Sequence, residues 1–135
     1  MEQGAFKSIF SVMNFTPDSV WARSDYSTLA KTRITEWLRK GPFFKIKVNK
    51  NTTTLVRKFF YICPEYLYYT KNEDEEKIQG AAELNWTHVE FSVDNYKDEK
   101  LYIIRLIKKN IFAEICTKSL EDFKLWKPIF AKYCL

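Results

Sequence analysis

The residues best suited to do chemistry in this sequence are basic, and they are concentrated in one short part of the chain. Seven basic side chains and no acidic one lie between Trp37 and Pro64. They are Arg39, Lys40, Lys45, Lys47, Lys50, Arg57 and Lys58. Ten acidic residues then follow between Glu65 and Glu99, against three lysines. Clustered positive charge attracts phosphate and other anions. The layout therefore predicts an electrostatic dipole, with one end of the fold attracting anions and the other repelling them.

Bond-making chemistry is not predicted. His88 is the only histidine, and no serine or cysteine is tied to it by a catalytic motif. The acidic run at residues 73–76 is typical of a solvated loop, and no glycine-rich phosphate loop is present. Cys63, Cys116 and Cys134 are too widely spaced for a zinc site, and they favour reduced thiols in a cytoplasmic protein. The sequence predicts neither an enzyme nor a metal or cofactor site.

Size and composition predict one globular domain with a substantial core. The chain has 135 residues, of which 46% are apolar and 17% aromatic. No apolar stretch approaches the roughly 20 residues that span a bilayer. The first residues lack the pattern of a secretory signal and the Met-Gly start of N-myristoylation. These features favour a cytoplasmic protein.

The first 34 residues are predicted to form a partly helical extension to a domain at residues 35–135. Four apolar side chains in this extension have the spacing of one helical face: Phe6, Ile9, Phe10 and Met13. Thr16-Pro17-Asp18 has the cap, proline and acid that begin a second helix. Two interpretations stay open. The extension packs onto the domain, or it inserts into a membrane or binds a partner.

From Thr35 onward the sequence predicts seven short antiparallel strands, the pattern of a barrel or sandwich. They span residues 37–48, 56–63, 66–71, 79–84, 89–93, 101–108 and 111–117. The polar residues 49–54 and 94–100 are predicted to be loops. Gly41-Pro42 predicts a bulge or a sheet edge in the first strand.

The last part of the chain changes to a helical period. Ser119 is predicted to cap a helix, with Asp122 three residues on. Five apolar side chains after the cap lie at helical spacing: Leu120, Phe123, Trp126, Phe130 and Tyr133. Pro128 predicts a kink or a local break. Seven strands followed by one helix indicate a mainly β fold in which the helix plugs one open end of a bent sheet.

This order of elements, and several short motifs, resemble the pleckstrin-homology (PH) domain over residues 35–134. Trp37-Leu38-Arg39-Lys40-Gly41 resembles the opening strand of the family, and residues 57–62 resemble its basic and aromatic second strand. Leu67-Tyr68-Tyr69 resembles the third strand and residues 80–84 the fourth. Trp126 stands where the family has its helix tryptophan. The resemblance implies a bent seven-stranded antiparallel barrel, capped at one end by the C-terminal α-helix and open at the other.

Strand alternation predicts a basic pocket at the open end. Side chains alternate across a strand, so Leu38 and Lys40 are predicted to point inward together, as are Lys58 and Phe60. The predicted lipid-binding set lies at this mouth or on the hairpin above it. Its members are Lys40, Lys45, Lys47, Lys50, Arg57, Lys58, Tyr69 and Lys71.

The resemblance also implies a type of ligand. In the family, lipid phosphates are bound by a lysine, a loop and a basic-x-arginine motif. Lys40 and Lys58 match its first and last positions, while Val56 occupies the middle one. Tyr69 matches the phosphate-contacting tyrosine, and Gln79 stands where high-affinity members carry a basic residue. This pattern favours a simple anionic head group over a polyphosphorylated inositol.

The predicted function is that of a monomeric peripheral module on the cytosolic face of a membrane, which recognises phosphatidic acid or a phosphoinositide. Phe43 and Phe44 are predicted to insert into the bilayer. A narrower resemblance is to the acylated PH-domain proteins of apicomplexan parasites, which recognise phosphatidic acid.

Two other binding functions are open to this sequence. The first is a protein-interaction scaffold that binds a peptide along a strand edge without lipid. The second is single-stranded nucleic-acid binding, because basic and aromatic residues are interleaved at residues 58–61. Aromatic side chains on such a strand more often belong to the core, so no nucleic-acid partner is predicted.

Overall fold

The structure, a computed structural model, describes residues 37–109 and 111–134, without the side chains at positions 111 and 112. The predicted extension at residues 1–34, with its two helices, lies outside the described residues. The strands are β1 (Arg39–Asn49), β2 (Thr52–Ile62), β3 (Tyr66–Thr70), β4 (Ile78–Glu83), β5 (His88–Tyr96), β6 (Glu99–Lys108) and β7 (Ile111–Thr117), and the helix is α1 (Leu120–Tyr133). The predicted fold class, seven antiparallel strands and one C-terminal helix, is confirmed.

All seven strands belong to one antiparallel sheet in the order β4-β3-β2-β1-β7-β6-β5. The sheet bends so strongly that β4, at one end, approaches β6, the strand next to the other end. Lys108 on β6 forms an ion pair of 2.8 Å with Glu83 at the end of β4. One apolar cluster joins side chains of both halves of the sheet with those of α1. The face of the sheet that contacts this cluster is called the inner face below, and the opposite face the outer face.

Two hairpins are longer than the sequence predicted. The β1–β2 register runs without interruption from Arg39 opposite Ile62 to Asn49 opposite Thr52. The predicted loop at residues 49–54 is therefore wrong, because its threonines continue the β2 ladder. In the same way β5 and β6 extend to a turn at Lys97 and Asp98. Both turn residues have positive φ, 50° and 65°, as two-residue hairpins of type I′ require.

The predicted bulge at Gly41-Pro42 is absent from β1. Pro42 pairs with Phe59 within the continuous register. Strand β7 pairs with β1 only at Phe44 and Lys45. At Pro42, β1 therefore has a partner on one side only, and the missing N–H of proline is tolerated there.

Helix α1 begins as the sequence predicted. The Ser119 hydroxyl accepts a hydrogen bond of 3.1 Å from the backbone N–H of Asp122. The predicted break at Pro128 is wrong, since the helix continues through it to Tyr133. Helix α1 buries three aromatic side chains on the inner face of the sheet, namely Phe123, Trp126 and Phe130.

A second, smaller cluster holds the two long hairpins together. Ile46 from β1 packs with Leu101 and Ile103 from β6. Nearby, the Tyr96 hydroxyl donates a hydrogen bond of 2.9 Å to the Thr53 carbonyl, which joins β5 to β2. The far part of the β1–β2 hairpin is therefore fixed against the β5–β6 hairpin.

Candidate functional site

A basic cavity of about 510 Å³ opens among the first four strands. Its walls come from β1, β2, β3, β4 and the β3–β4 loop. The lining side chains are Lys45, Lys47, Lys58, Tyr69, Glu75, Lys77, Ile78 and Gln79. Four lysines around one concave surface make it a candidate anion site.

Strand alternation explains why these side chains meet. Phe43 is on the inner face, so Lys45 and Lys47, two and four residues further along β1, are on it too. Lys58 lies directly opposite Phe43 and shares its face. On the next strand Tyr69 lies opposite Phe60, again on the inner face. The inner face is therefore apolar near α1 and becomes basic toward the cavity.

Lys45 and Tyr69 form the buried wall of the cavity. Lys45 is only 2% exposed. Its Nζ atom donates a hydrogen bond of 2.9 Å to the Tyr69 hydroxyl and lies 4.5 Å from the centroid of that ring. Gly80, opposite Tyr69 on β4, leaves room for the ring, because a Cβ at this glycine would lie 2.5 Å from Tyr69 Cε2. The position of Tyr69 thus depends on a glycine at position 80.

Lys58 on β2 also lines the cavity. Its Nζ atom donates a hydrogen bond of 2.7 Å to the Gln79 side-chain carbonyl, and it lies 5.9 Å from the Tyr69 ring centroid. Lys45 and Lys58 therefore both lie close to the Tyr69 ring, with Lys47 and Lys77 also at the cavity. Ammonium groups arranged in this way can neutralise and hydrogen-bond a phosphate group.

The acidic residues are closer to the basic ones than the predicted dipole requires. Glu75 lines the cavity itself. Glu73, in the same loop, forms an ion pair of 3.6 Å with Lys40. The predicted separation of the two charges is wrong, because the acidic β3–β4 loop lies beside the basic strands. Its carboxylates lower the attraction of the cavity for anions.

The predicted meeting of Lys40 and Lys58 does not occur. Lys40 pairs with Tyr61, whereas Lys58 pairs with Phe43, three positions further along β1. Residues separated by an odd number on one strand lie on opposite faces. Lys40 is therefore an exposed residue of the outer face, outside the cavity. The sequence interpretation failed because it took Leu38 as an inward residue, whereas Leu38 is exposed.

Three other predicted site residues also lie outside the cavity lining. Arg57 pairs with Phe44 and belongs to the outer face. Lys50 lies in the β1–β2 turn and Lys71 directly after β3, both exposed. Of the eight predicted binding residues, the cavity brings together Lys45, Lys47, Lys58 and Tyr69.

The predicted membrane insertion of Phe43 and Phe44 is wrong. Phe43 is 1% exposed and packs against Trp126, with ring centroids 4.9 Å apart. Phe44 is on the outer face, partly buried against the smaller cluster. Adjacent residues of a strand point in opposite directions, so the two rings do not form one exposed patch.

Sequence reasoning did not assign Glu75, Lys77 or Gln79 to the site. The sequence marks Gln79 only as the position of a missing basic residue, and it predicts Glu75 and Lys77 only as residues of a loop. Lys77 directly precedes β4. The sequence signal that could have identified Lys77 is its position directly before a strand that borders the basic side chains.

The most perturbed carboxyl group lies away from the cavity. Glu114 on β7 is buried, and its Oε2 accepts a hydrogen bond of 3.0 Å from Arg105 Nε. Burial raises the pKa of Glu114 to about 8, although the Arg105 charge acts in the opposite direction. Within the described residues Oε1 has no hydrogen-bond partner. At this pair the cost of removing the carboxylate from water outweighs its attraction to the Arg105 charge.

Within the described residues, Cys63, Cys116 and Cys134 form no disulfide bond. Burial raises the pKa values of Cys116 and Cys134 to about 12, and the Glu114 carboxylate adds to the effect at Cys116. Cys63 is half-buried. Within residues 37–109 and 111–134 no group of three or more potential metal ligands occurs. In the same part of the chain, no helix has the length and apolar character to cross a membrane.

Comparison with solved structures identifies the fold. The PH domain of human pleckstrin homology domain-containing protein family A member 5 is 19% identical, with a TM-score of 0.58 over 70% of this chain and 74% of that one. The PH domain of the human KIAA0053 protein is 16% identical, with a TM-score of 0.60 over 73% and 89%. The Slm1 PH domain, in complex with inositol-4-phosphate, is 15% identical, with a TM-score of 0.58 over 74% and 99%.

The chain has the PH fold. No protein-family model matches the sequence, and no curated protein is significantly similar to it. The similarity to PH domains is therefore a similarity of three-dimensional structure. Its PH fold places the basic cavity between β1 and β4, on the inner side of the sheet.

Proposed function

We propose that the protein is a non-catalytic peripheral membrane module that recognises acidic phospholipid head groups in the basic cavity. The observation that carries this proposal is the placement of the Lys45 and Lys58 ammonium groups 4.5 Å and 5.9 Å from the Tyr69 ring centroid, at one cavity. Lys47 and Lys77 add two further positive charges to the lining. A phosphate group in the cavity would replace water around these ammonium groups and be neutralised by them.

The composition of the lining favours a compact phosphate group. The four basic residues are lysines, which act as point charges and lack the planar fork with which arginine binds phosphate. A single phosphomonoester, as in phosphatidic acid or a singly phosphorylated inositol lipid, matches such a set. The inositol-4-phosphate bound by the Slm1 PH domain supports a phosphorylated head group. The resemblance to the acylated PH-domain proteins favours phosphatidic acid.

The expected affinity for an anionic membrane is that of a reversibly recruited protein. Each basic residue close to an anionic leaflet contributes about 1 kcal/mol, and the contribution decays within a Debye length of about 8 Å at physiological salt. Four lysines therefore provide a few kcal/mol, less the repulsion from Glu75. This suits a protein that moves between the cytoplasm and the cytosolic face of a membrane.

A liposome series with two charge-matched double variants tests the proposal. Phosphatidylcholine liposomes would carry equal total charge as phosphatidic acid, phosphatidylserine or a phosphoinositide, and bound protein would be measured by co-sedimentation. Lys47→Ala with Lys58→Ala removes two charges from the cavity. The control, Lys40→Ala with Arg57→Ala, removes two charges from the outer face.

We expect binding to the liposomes to depend on the phosphomonoester. The affinity of the cavity variant should be about 30-fold lower, because each of the two lysines contributes about 1 kcal/mol. The control variant should bind within about threefold of the parent, because surface charges outside a site contribute little. Equal losses in both variants would mean that net charge alone drives binding. Binding indifferent to lipid charge would refute the proposal and favour the protein-interaction scaffold.

A further inference from the structure

The lining of the basic cavity contains one carboxylate beside its four lysines. That carboxylate belongs to Glu75, the one acidic residue of the lining in the described part of the chain. Four lysines and one glutamate give the lining a net charge of +3 when all five side chains are ionised. The adjacent acids Asp74 and Glu76 are exposed and lie outside the lining. A ligand of the proposed site would therefore meet a single fixed negative charge.

Hydrogen bonds within the β3–β4 loop determine the position of Glu75. The Thr70 hydroxyl, at the end of β3, donates a hydrogen bond of 2.7 Å to the Asn72 carbonyl. The same carbonyl accepts a hydrogen bond of 3.1 Å from the backbone N–H of Glu75. The Asn72 side-chain oxygen accepts another, also of 3.1 Å, from the backbone N–H of Asp74. The loop backbone is therefore tied to β3 as far as Glu75, whose side chain reaches the cavity lining.

The volume of the cavity does not limit it to one phosphate group, whereas its charge does. Cavities of about 300–1,000 Å³ enclose a drug-sized ligand, and this cavity measures about 510 Å³. A phosphomonoester carries a charge of about −1.5 to −2 at pH 7, which the lining neutralises. Two phosphomonoesters bring about −3 to −4, so the lysines are already neutralised when the second group meets the Glu75 carboxylate.

We propose that Glu75 is a specificity-determining residue, which restricts the cavity to head groups with a single phosphomonoester. This inference rests on the proposed function, and it names the class of head group that the same cavity rejects, namely those with two or more phosphomonoesters. The repulsion from a fixed charge is proportional to the charge of the ligand. A bisphosphate therefore loses about twice as much binding free energy to Glu75 as a monophosphate does.

Two lipids that differ by one phosphomonoester test the role of Glu75. Phosphatidylcholine liposomes would carry phosphatidylinositol 4-phosphate or phosphatidylinositol 4,5-bisphosphate, with phosphatidylserine added to equalise the total charge. Dissociation constants would be measured by co-sedimentation. Glu75→Gln should bind the monophosphate about fivefold and the bisphosphate about 25-fold more tightly than the parent. The ratio of the two affinities should therefore shift about fivefold toward the bisphosphate.

Two control variants separate the charge of Glu75 from other effects of the substitution. Glu75→Asp keeps the charge, so its affinity ratio should stay within about twofold of the parent ratio. Glu76→Gln removes a charge of the same loop outside the lining, and it should leave the ratio unchanged. An unchanged ratio in Glu75→Gln would overturn the inference. An equal shift in Glu76→Gln would do the same.

The double variant Lys47→Ala with Lys58→Ala separates this inference from the proposed function. If this variant loses affinity for the monophosphate while Glu75→Gln keeps the parent ratio, the cavity binds lipid and only the role of Glu75 is refuted. If the double variant binds both lipids as the parent does, the lipids bind outside the cavity and both proposals are refuted. A parent protein that binds neither lipid would refute both as well.

Discussion

Lys45 Nζ lies 2.9 Å from the hydroxyl oxygen of Tyr69, and together the two residues form the buried wall of the basic cavity. A lysine this deeply buried is uncommon unless its charge is hydrogen-bonded or paired. The arrangement therefore serves both the fold and the proposed site. It holds a positive charge at the wall of the cavity and fixes the orientation of the tyrosine ring.

A double-mutant cycle should detect this interaction as a coupling energy. Tyr69→Phe removes the acceptor but keeps the ring, and we expect it to lower the free energy of unfolding by about 1–3 kcal/mol. In combination with Lys45→Met, the coupling should be about 1 kcal/mol or more, as for residues in direct contact. Urea unfolding of the four proteins measures it. Tyr133→Phe is the control, because that hydroxyl makes no hydrogen bond among the described residues; a coupling near zero would contradict the role of the Lys45–Tyr69 bond.

Gly80→Ala should disturb the cavity wall from the neighbouring strand. The new Cβ would lie 2.5 Å from Tyr69 Cε2, so the ring must move. Overpacking of this kind costs about 1–3 kcal/mol. Gly41→Ala is the matched control, because its Cβ would lie 3.6 Å from Trp126 Cζ2, an ordinary contact. Thermal unfolding should show a lower Tm for the first variant only, and similar shifts in both would argue against a steric requirement at position 80.

Glu75→Gln should strengthen binding to anionic liposomes. Glu75 is the acidic residue of the cavity lining. Removing one like charge is worth about 1 kcal/mol, or about a fivefold increase in affinity. Glu76→Gln is the control, since it removes the same charge from the same loop outside the lining. The gain should diminish at high salt, and an equal gain in both variants would exclude a specific effect of Glu75 in the cavity.

Stability should fall as pH rises through the titration range of Glu114. Its pKa is about 8 in the folded protein, against 4.5 for the free side chain. Between these values the folded state retains a proton that the unfolded state has released, so raising the pH favours unfolding. The slope from this group is at most about 1.4 kcal/mol per pH unit.

Urea unfolding of the parent and Glu114→Gln checks the effect. The glutamine side chain of the variant does not titrate, so the stability of the variant relative to the parent should rise between pH 4.5 and about pH 8. The exposed Glu65→Gln variant should follow the parent throughout. A parent protein with the same pH dependence as Glu114→Gln would show that Glu114 titrates normally.

Local sequence patterns were sufficient to predict the elements of this fold. Alternating apolar side chains located seven strands, and Ser119 with Asp122 located the start of the helix. Such signals depend on neighbouring residues alone. The ends of the hairpins were not predictable in this way, because Thr52–Thr54 are polar residues that nevertheless extend a paired strand.

The candidate site was only partly predictable, because it depends on register. The alternation correctly predicts the face of Lys58 and Tyr69, since each lies two residues from a core residue, Phe60 and Leu67 respectively. Lys40 was assigned to the wrong face, because the prediction was anchored on Leu38, and an error of one position reverses every side chain of a strand. The positions of Glu75 and Lys77 depend on the path of the β3–β4 loop, and a periodic residue pattern does not predict the path of a loop.

The uninterrupted ladder of eleven residue pairs between β1 and β2 has a consequence for how the cavity selects a ligand. Lys45 and Lys47 stand on a regular strand whose far end is tied to the β5–β6 hairpin. A ligand therefore meets a wall whose backbone is already ordered, and little conformational entropy is lost there on association. In the proposed site, discrimination among anions would rest on size and charge, because the backbone of this wall is fixed and only its side chains can adjust to a ligand.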